Sequence, residues 1–313
     1  MIKIITFIIH ETNYATSKAF AYINEKHFVV LRLNDELNVI TCMYSEEKKA
    51  DKPLEKYFEE FCKLPGVKTS KKSNIKYGKS NVGVYYDRIF RYGLNMGDSQ
   101  LVIRLNNFEG ENLIDSFMNV HILLKRLRLI QEVISFSNDN LKTYGYEIRN
   151  LFLLACTELE NSFNGVLSSN QYKAGNRRTK DFIKLNEPLY LSKYEIEFKI
   201  YPNLNKYKPF EEWNFKEPTK SIYWYDSYNK TKHDRETFLN LSTIDNLLTS
   251  ISACLVMLYA QFGPFNKYWE MEEFNHIRVI PPKFKLQDFY IPWINDELQN
   301  QSSWKRNNFQ FNK

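Results

Sequence analysis

Glycine and proline are both scarce in this chain, ten of each among 313 residues. That excludes collagen-like and low-complexity linker sequences and leaves regular secondary structure to dominate. Cysteine is scarcer still. Cys42, Cys62, Cys156 and Cys254 lie far apart, form no CxxC pair and match no zinc-ligand spacing, so neither a disulfide scaffold nor a zinc module is expected. Cys156 and Cys254 fall within apolar helical runs, where a reduced thiol packs as a small hydrophobe. Such usage suits a reducing, cytoplasmic compartment. There is no glycine-rich phosphate loop and no GxSxG, HExxH or DxDxDG pattern. No metal and no cofactor is implied.

Long hydrophobic runs are missing as well. The opening run to His10 is broken by Lys3 and Thr6 and followed by Glu11, which reads as a β-strand rather than a signal peptide. The most apolar later run, Leu247 to Phe262, is interrupted by Thr249, Ser250, Ser252 and Gln261. It reads as too short and too polar to span a bilayer, so no membrane partner is expected.

Apolar and aromatic residues are plentiful. Hydrophobic residues make up 43%, and 21 Tyr with 23 Phe account for most of the aromatic share. A chain of this length and composition buries a large core, in two domains or one large one. The net charge of +6 favours approach to polyanions without identifying one.

The pattern along the chain is α+β, with a β-rich N-terminal domain (1–110), a mainly helical domain (111–265) and an extended C-terminal segment (266–313). In the first, strands are expected over Met1–His10, Ala19–Ile23, Phe28–Leu33 and Leu37–Tyr44. Polar turns separate the last three in a meander signature. Leu54, Tyr57, Phe58 and Phe61 have helical spacing after Pro53. Lys68–Ser80 reads as an exposed loop, and Val82–Phe90 and Gln100–Leu105 as further strands.

Helices are expected over Asn112–Phe136, Tyr144–Leu167 and about Arg235–Phe262, the last stopped by Gly263-Pro264. In the second, Ile148, Phe152, Ala155, Leu159 and Phe163 form one apolar face. Arg149 and Glu160, three turns apart, share a face with Leu153 and Cys156 between them. Glu158 and Glu160 point in different directions, a poor acid/base pair. His10, His27 and His121 read as structural.

The densest polar chemistry is the segment Trp224 to Glu236, WYDSYNKTKHDRE, placed at the opening of the last long helix. His233 is a proton-transfer candidate near neutral pH. Lys230, Lys232 and Arg235 are candidates for holding phosphate. Asp234 is a candidate helix N-cap. A structural reading stands beside the functional one: an ion-pair and capping cluster that locks this segment to the 144–167 helix through Glu158 or Glu160.

Asn229-Lys230-x-x-His233, paired with an earlier helix carrying buried polar residues, resembles the HEPN superfamily of small helical domains. Many members are metal-independent ribonucleases of toxin and phage-defence systems. Their pattern is Arg, often Asn, three or more residues, then His, with the Arg stabilising phosphate charge and the His moving a proton, often across a dimer interface. Asn229 and His233 match; Tyr228 stands at the Arg position. The run Pro209-Phe210, Trp213, Pro218-Thr219, Ser221, Trp224-Tyr225, Tyr228-Asn229 and Lys232–Glu236 is also similar to uncharacterised bacterial proteins, over roughly residues 144–263.

The resemblance implies an RNA-directed, homodimeric effector. His233, Arg235, Asn229 and Lys230 would be catalytic, and Lys232, Tyr228, Arg149 and Glu160 would line the substrate site. The alternative is a non-catalytic interaction or sensor module, with the 1–110 domain binding a protein partner.

Overall fold

The computed structural model describes residues 4–10, 16–23, 27–33, 39–47, 52–65, 67–69, 76–78, 81–92, 110–264, 267–291, 293–294 and 302–311. The chain divides into two compact units. The first comprises Met1–Tyr85, Arg91–Leu105 and Lys283–Asn307; the second comprises Tyr86–Phe90, Asn106–Pro282 and Asn308–Lys313. The architecture is α+β, an antiparallel sheet followed by a mainly helical region.

In the first unit, β1 (Ile4–His10), β2 (Thr16–Ile23), β3 (His27–Leu33) and β4 (Val39–Glu47) form an antiparallel meander in the order β4-β3-β2-β1. Ile5 pairs with Ala21, and Phe20 with Leu31. Side chains alternate across a strand, so each register assigns two faces. Ile5, Phe7, Ile9, Ala19, Ala21, Phe28 and Val30 lie on one face, under the helix α1 (Leu54–Phe61) and its Leu54, Tyr57, Phe58 and Phe61. Ile4, Phe20, Tyr22, Val29 and Leu31 lie on the other, against Val82, Phe289 and Ile291. A sheet covered on both faces explains strands that are apolar nearly throughout.

The loop expected over Lys68–Ser80 is in part sheet. β5 (Lys68–Thr69) and β6 (Lys76–Tyr77) both pair with β1, because its outer edge offers unsatisfied backbone groups. The strand expected over Val82–Phe90 shrinks to β7 (Val84–Tyr86). Arg88 takes φ 53, a left-handed conformation that ends an extended path. The strand expected over Gln100–Leu105 lies outside the described residues.

The second unit is built on α2 (Gly110–Gln131), α3 (Tyr146–Ser169), α4 (Tyr223–His233) and α5 (Ile244–Phe262). Every residue of α5 except Asp245 is buried. By length and composition α5 does qualify to cross a membrane, contrary to the sequence expectation, but 94% of its apolar window is buried within the protein. It packs along α3, where the Cys254 thiol donates to the Ala155 carbonyl at 3.2 Å and Gln261 Nε2 to Ser162 Oγ at 2.8 Å. Gly263 ends the helix at φ 69, and a Cβ there would lie 2.4 Å from the Phe90 ring. Beside these helices β8 (Glu195–Phe198) pairs with β9 (Ile277–Ile280).

The single helix expected from Arg235 to Phe262 is two elements. Arg235–Phe238 is one turn, Leu239–Leu241 is a 3-10 turn, and α5 starts afresh after Thr243. Local capping explains the break. Thr243 Oγ1 accepts from the Asn246 backbone N–H at 3.2 Å, and Asn246 Nδ2 donates to the Leu241 carbonyl at 2.7 Å.

Candidate functional site

The segment from Trp224 to Glu236 does not open the long helix. Most of it forms α4, and the chain turns extended at Asp234, with φ −140 and ψ 90. Asp234 caps the next turn as expected, its Oδ1 accepting from the Thr237 N–H at 3.0 Å. That bond holds its carboxyl below the usual carboxylate range.

α4 has an inner and an outer face. Trp224, Tyr225, Ser227, Tyr228 and Thr231 are buried, at the spacing of one helical side. Trp224 Nε1 donates to the Pro209 carbonyl at 2.9 Å. Three contacts join the inner face to α3. Tyr225 donates its phenol to Glu160 Oε1 at 2.6 Å, the Tyr228 ring meets Phe152 edge-on at 6.3 Å, and Arg149 Nη2 donates to the Thr231 carbonyl at 3.2 Å. The residue numbers rise on one helix as they fall on the other, so α3 and α4 run antiparallel. Arg149 places its positive charge at the C-terminal, negative end of α4. Its Nε is buried without a hydrogen-bond partner.

Tyr228, at the position where the HEPN pattern has Arg, is 1% exposed. Its hydroxyl accepts from Lys232 Nζ at 3.1 Å, and the same ammonium lies 5.1 Å from its ring centroid. The Tyr228 hydroxyl, with a further contribution from the Glu160 charge, raises the Lys232 pKa. Burial, then the Glu160 carboxylate, pushes the Tyr225 phenol far up. Burial also raises Tyr228. The Cys156 thiol, fully buried, is pushed well up by desolvation and then by Cys254 and Glu160.

The outer face is cationic. Lys230 pairs with Asp226 at 2.6 Å, one turn back. Asn229 Nδ2 donates to the Tyr225 carbonyl of its own helix at 2.9 Å. His233 and Arg235 are exposed and, among the described residues, make no side-chain hydrogen bond or ion pair. The predicted set therefore splits. Tyr228, Glu160 and Arg149 belong to the α3–α4 contact, Asn229, Lys230 and the exposed Lys232 are tied back to α4, and His233 and Arg235 face solvent.

Tyr225, Thr231 and Cys156 also belong to this contact, and sequence reading passed over them as partners. The spacing of Trp224, Tyr228 and Thr231 at i, i+4 and i+7 carries the signal for a buried helical face. Glu158 and Glu160 do diverge. Glu158 turns towards Asn119, Asn161 and the charge of Arg88, and burial raises its pKa. In the basic 173–180 loop, Arg177 is consumed by structure, donating to the Asn164 and Tyr172 carbonyls and to Ser168 Oγ. His121 Nδ1 lies 2.9 Å from the Glu273 carboxylate. Among the described residues, no group of three or more His, Cys, Asp or Glu is placed to hold a metal ion.

Comparison of the chain with protein-family models, with curated proteins and with solved structures gives no match.

Proposed function

We propose that this chain is a HEPN-like, RNA-directed effector of bacterial phage defence or a toxin system, cytoplasmic and homodimeric, acting as a metal-independent ribonuclease. The observation that carries this reading is the state of His233. Its imidazole stands exposed at the end of α4, without a partner among the described residues, between Lys232 and Arg235 in sequence. A neutral imidazole there accepts the proton of a ribose 2′-hydroxyl as that oxygen attacks phosphorus. The P–O5′ bond breaks, and the leaving oxygen takes up a proton from the imidazolium. Because Tyr228 is neutral and buried, Arg235 and Lys230 supply the positive charge that the pattern assigns to Arg. Arg149 and Glu160 fix α4 and so position His233.

A second reading rests on the inner contacts. Tyr225–Glu160, Tyr228–Lys232 and Arg149–Thr231 make a sufficient structural lock without any chemistry. On that reading the helical unit is an interaction or sensor module.

Cleavage of a mixed RNA pool in the presence of chelator, by wild type and His233→Ala, separates the two. The ribonuclease reading expects a loss of at least ~100-fold in a variant that melts like wild type. No cleavage by wild type, or undiminished cleavage by the variant, favours the module. Sedimentation of the wild type tests the dimer.

A further inference from the structure

The N-terminal end of α4, the end opposite His233, borders a cavity of about 400 Å³ that the RNA reading does not use. This volume falls in the range of small-molecule sites. Asp245, the one residue of α5 that is not buried, lines it. Tyr223 donates its hydroxyl to Asp245 Oδ2 at 2.9 Å. Tyr223 as a residue is 56% exposed while its phenol is held against the carboxylate. Tyr207 lines the same cavity, and Leu141 and Ile222 add apolar wall.

The charges around the cavity decide what it prefers. Lys206 and Lys208 line it, yet both are engaged. Lys206 Nζ is 3.8 Å and Lys208 Nζ 3.5 Å from Glu195, and Lys208 also pairs with Glu211 at 3.0 Å. Asp245, Glu211 and Glu212 face the same space, so carboxylates outnumber cations in the lining. Glu212 is exposed and has no ion pair among the described residues. Asp245 accepts from the Tyr223 phenol, Tyr207 adds a second hydrogen bond to the same carboxylate, and its two oxygens keep further lone pairs for a donor. Burial, with the Asp245 charge adding to it, drives the Tyr207 phenol up, and Tyr223 to about 12. Both phenols therefore stay protonated and present neutral, electron-rich rings beside a carboxylate, the setting that attracts a cation. An anion entering here meets Asp245 directly.

We propose that this cavity binds a small organic cation, its ammonium or guanidinium head on Asp245 between Tyr207 and Tyr223 and its apolar body against Leu141 and Ile222. The site is independent of the RNA reading, and its test needs no activity.

Isothermal titration with three ligands of one body and different heads decides it: phenethylamine, 2-phenylethanol and 3-phenylpropionate, with agmatine as a second cation. The expected result is a cation bound at least tenfold tighter than the alcohol and the acid. In Asp245→Asn this preference should vanish. Equal affinity across the series, preference for the acid, no heat from either amine at millimolar concentration, or an unchanged preference in a folded Asp245→Asn would each overturn the proposal. Should Asp245→Asn fail to fold, the head-group series on wild type decides alone.

Discussion

Lys232 and Tyr228, one turn apart on α4, are joined twice: by a hydrogen bond of 3.1 Å and by an ammonium 5.1 Å from the ring centroid. Lys230, two residues earlier, has only its exposed pair with Asp226. The two lysines look equivalent in sequence and differ in consequence. Lys232 is itself exposed, so water can replace it at the Tyr228 hydroxyl, and Lys232→Ala should cost about 0.5–1.5 kcal/mol, the net worth of one hydrogen bond. Lys230→Ala should cost no more than about 0.5 kcal/mol. Urea unfolding of both variants tests the difference, and equal losses would contradict the division of α4 into inner and outer faces.

His233 and Arg235 are exposed and have no partner among the described residues, so His233→Ala and Arg235→Ala should each unfold within about 0.5 kcal/mol of wild type. This makes them clean probes. If Arg235 contacts an RNA phosphate, its loss should lower the slope of log affinity against log salt by about 1. An unchanged slope would remove Arg235 from any phosphate contact.

Tyrosines dominate the alkaline limb of stability. Tyr225, Tyr228 and Tyr207 are raised mainly by burial, and Tyr201 and Tyr223 to about 12. The unfolded chain releases these protons near pH 10, before the folded protein does. Their contribution is therefore complete below about pH 10 and is lost as pH rises from there towards 12 and beyond. Melting temperature should be level through pH 8–9 and fall steeply above 10. Tyr225→Phe should flatten that fall. It should also cost about 1.5–3 kcal/mol at pH 7, where the bond to Glu160 is lost.

Cys156 and Cys254 are fully buried, with thiols raised well above their ordinary range. Native labelling with iodoacetamide should spare both and reach Cys62, which is only partly buried. Mass spectrometry of the labelled peptides reads this directly. Rapid modification of Cys156 would mean that the α3–α5 contact opens readily.

The meander was legible because short β-branched and aromatic runs separated by polar turns are a local signal; its register was not read. The helices α1, α3 and α5 were legible because their apolar stripes are long. The break at Leu239–Ser242 was not, because Leu239 and Leu241 continue an apolar pattern while the side chains of Thr243 and Asn246 end it. Pairing of β5 and β6 with β1 escaped notice because two-residue strands carry no period. In the site, the sequence supplied the chemistry of Lys232, His233 and Arg235 without showing which of them was already occupied. Occupancy depends on Tyr228, one turn away on α4 itself, and on Glu160, which only the fold brings to α4. The cavity at Asp245 gathers residues from four separate stretches of chain and leaves no linear trace.

The sheet of the first unit has one face closed by α1, which follows it directly, and the other closed by Val82 and, only after residues 106–282, by Phe289 and Ile291. During translation, Phe20, Tyr22, Val29 and Leu31 emerge long before their cover is complete. The intervening residues 106–282, most of the second unit, can fold in the meantime. Elongation rate thus sets how long that greasy surface waits, and the waiting interval is where a chaperone would engage. A ribosome that stalls before residue 289 leaves a product whose helices are sound and whose sheet is sticky. For such a product, self-association rather than unfolding is the expected fate.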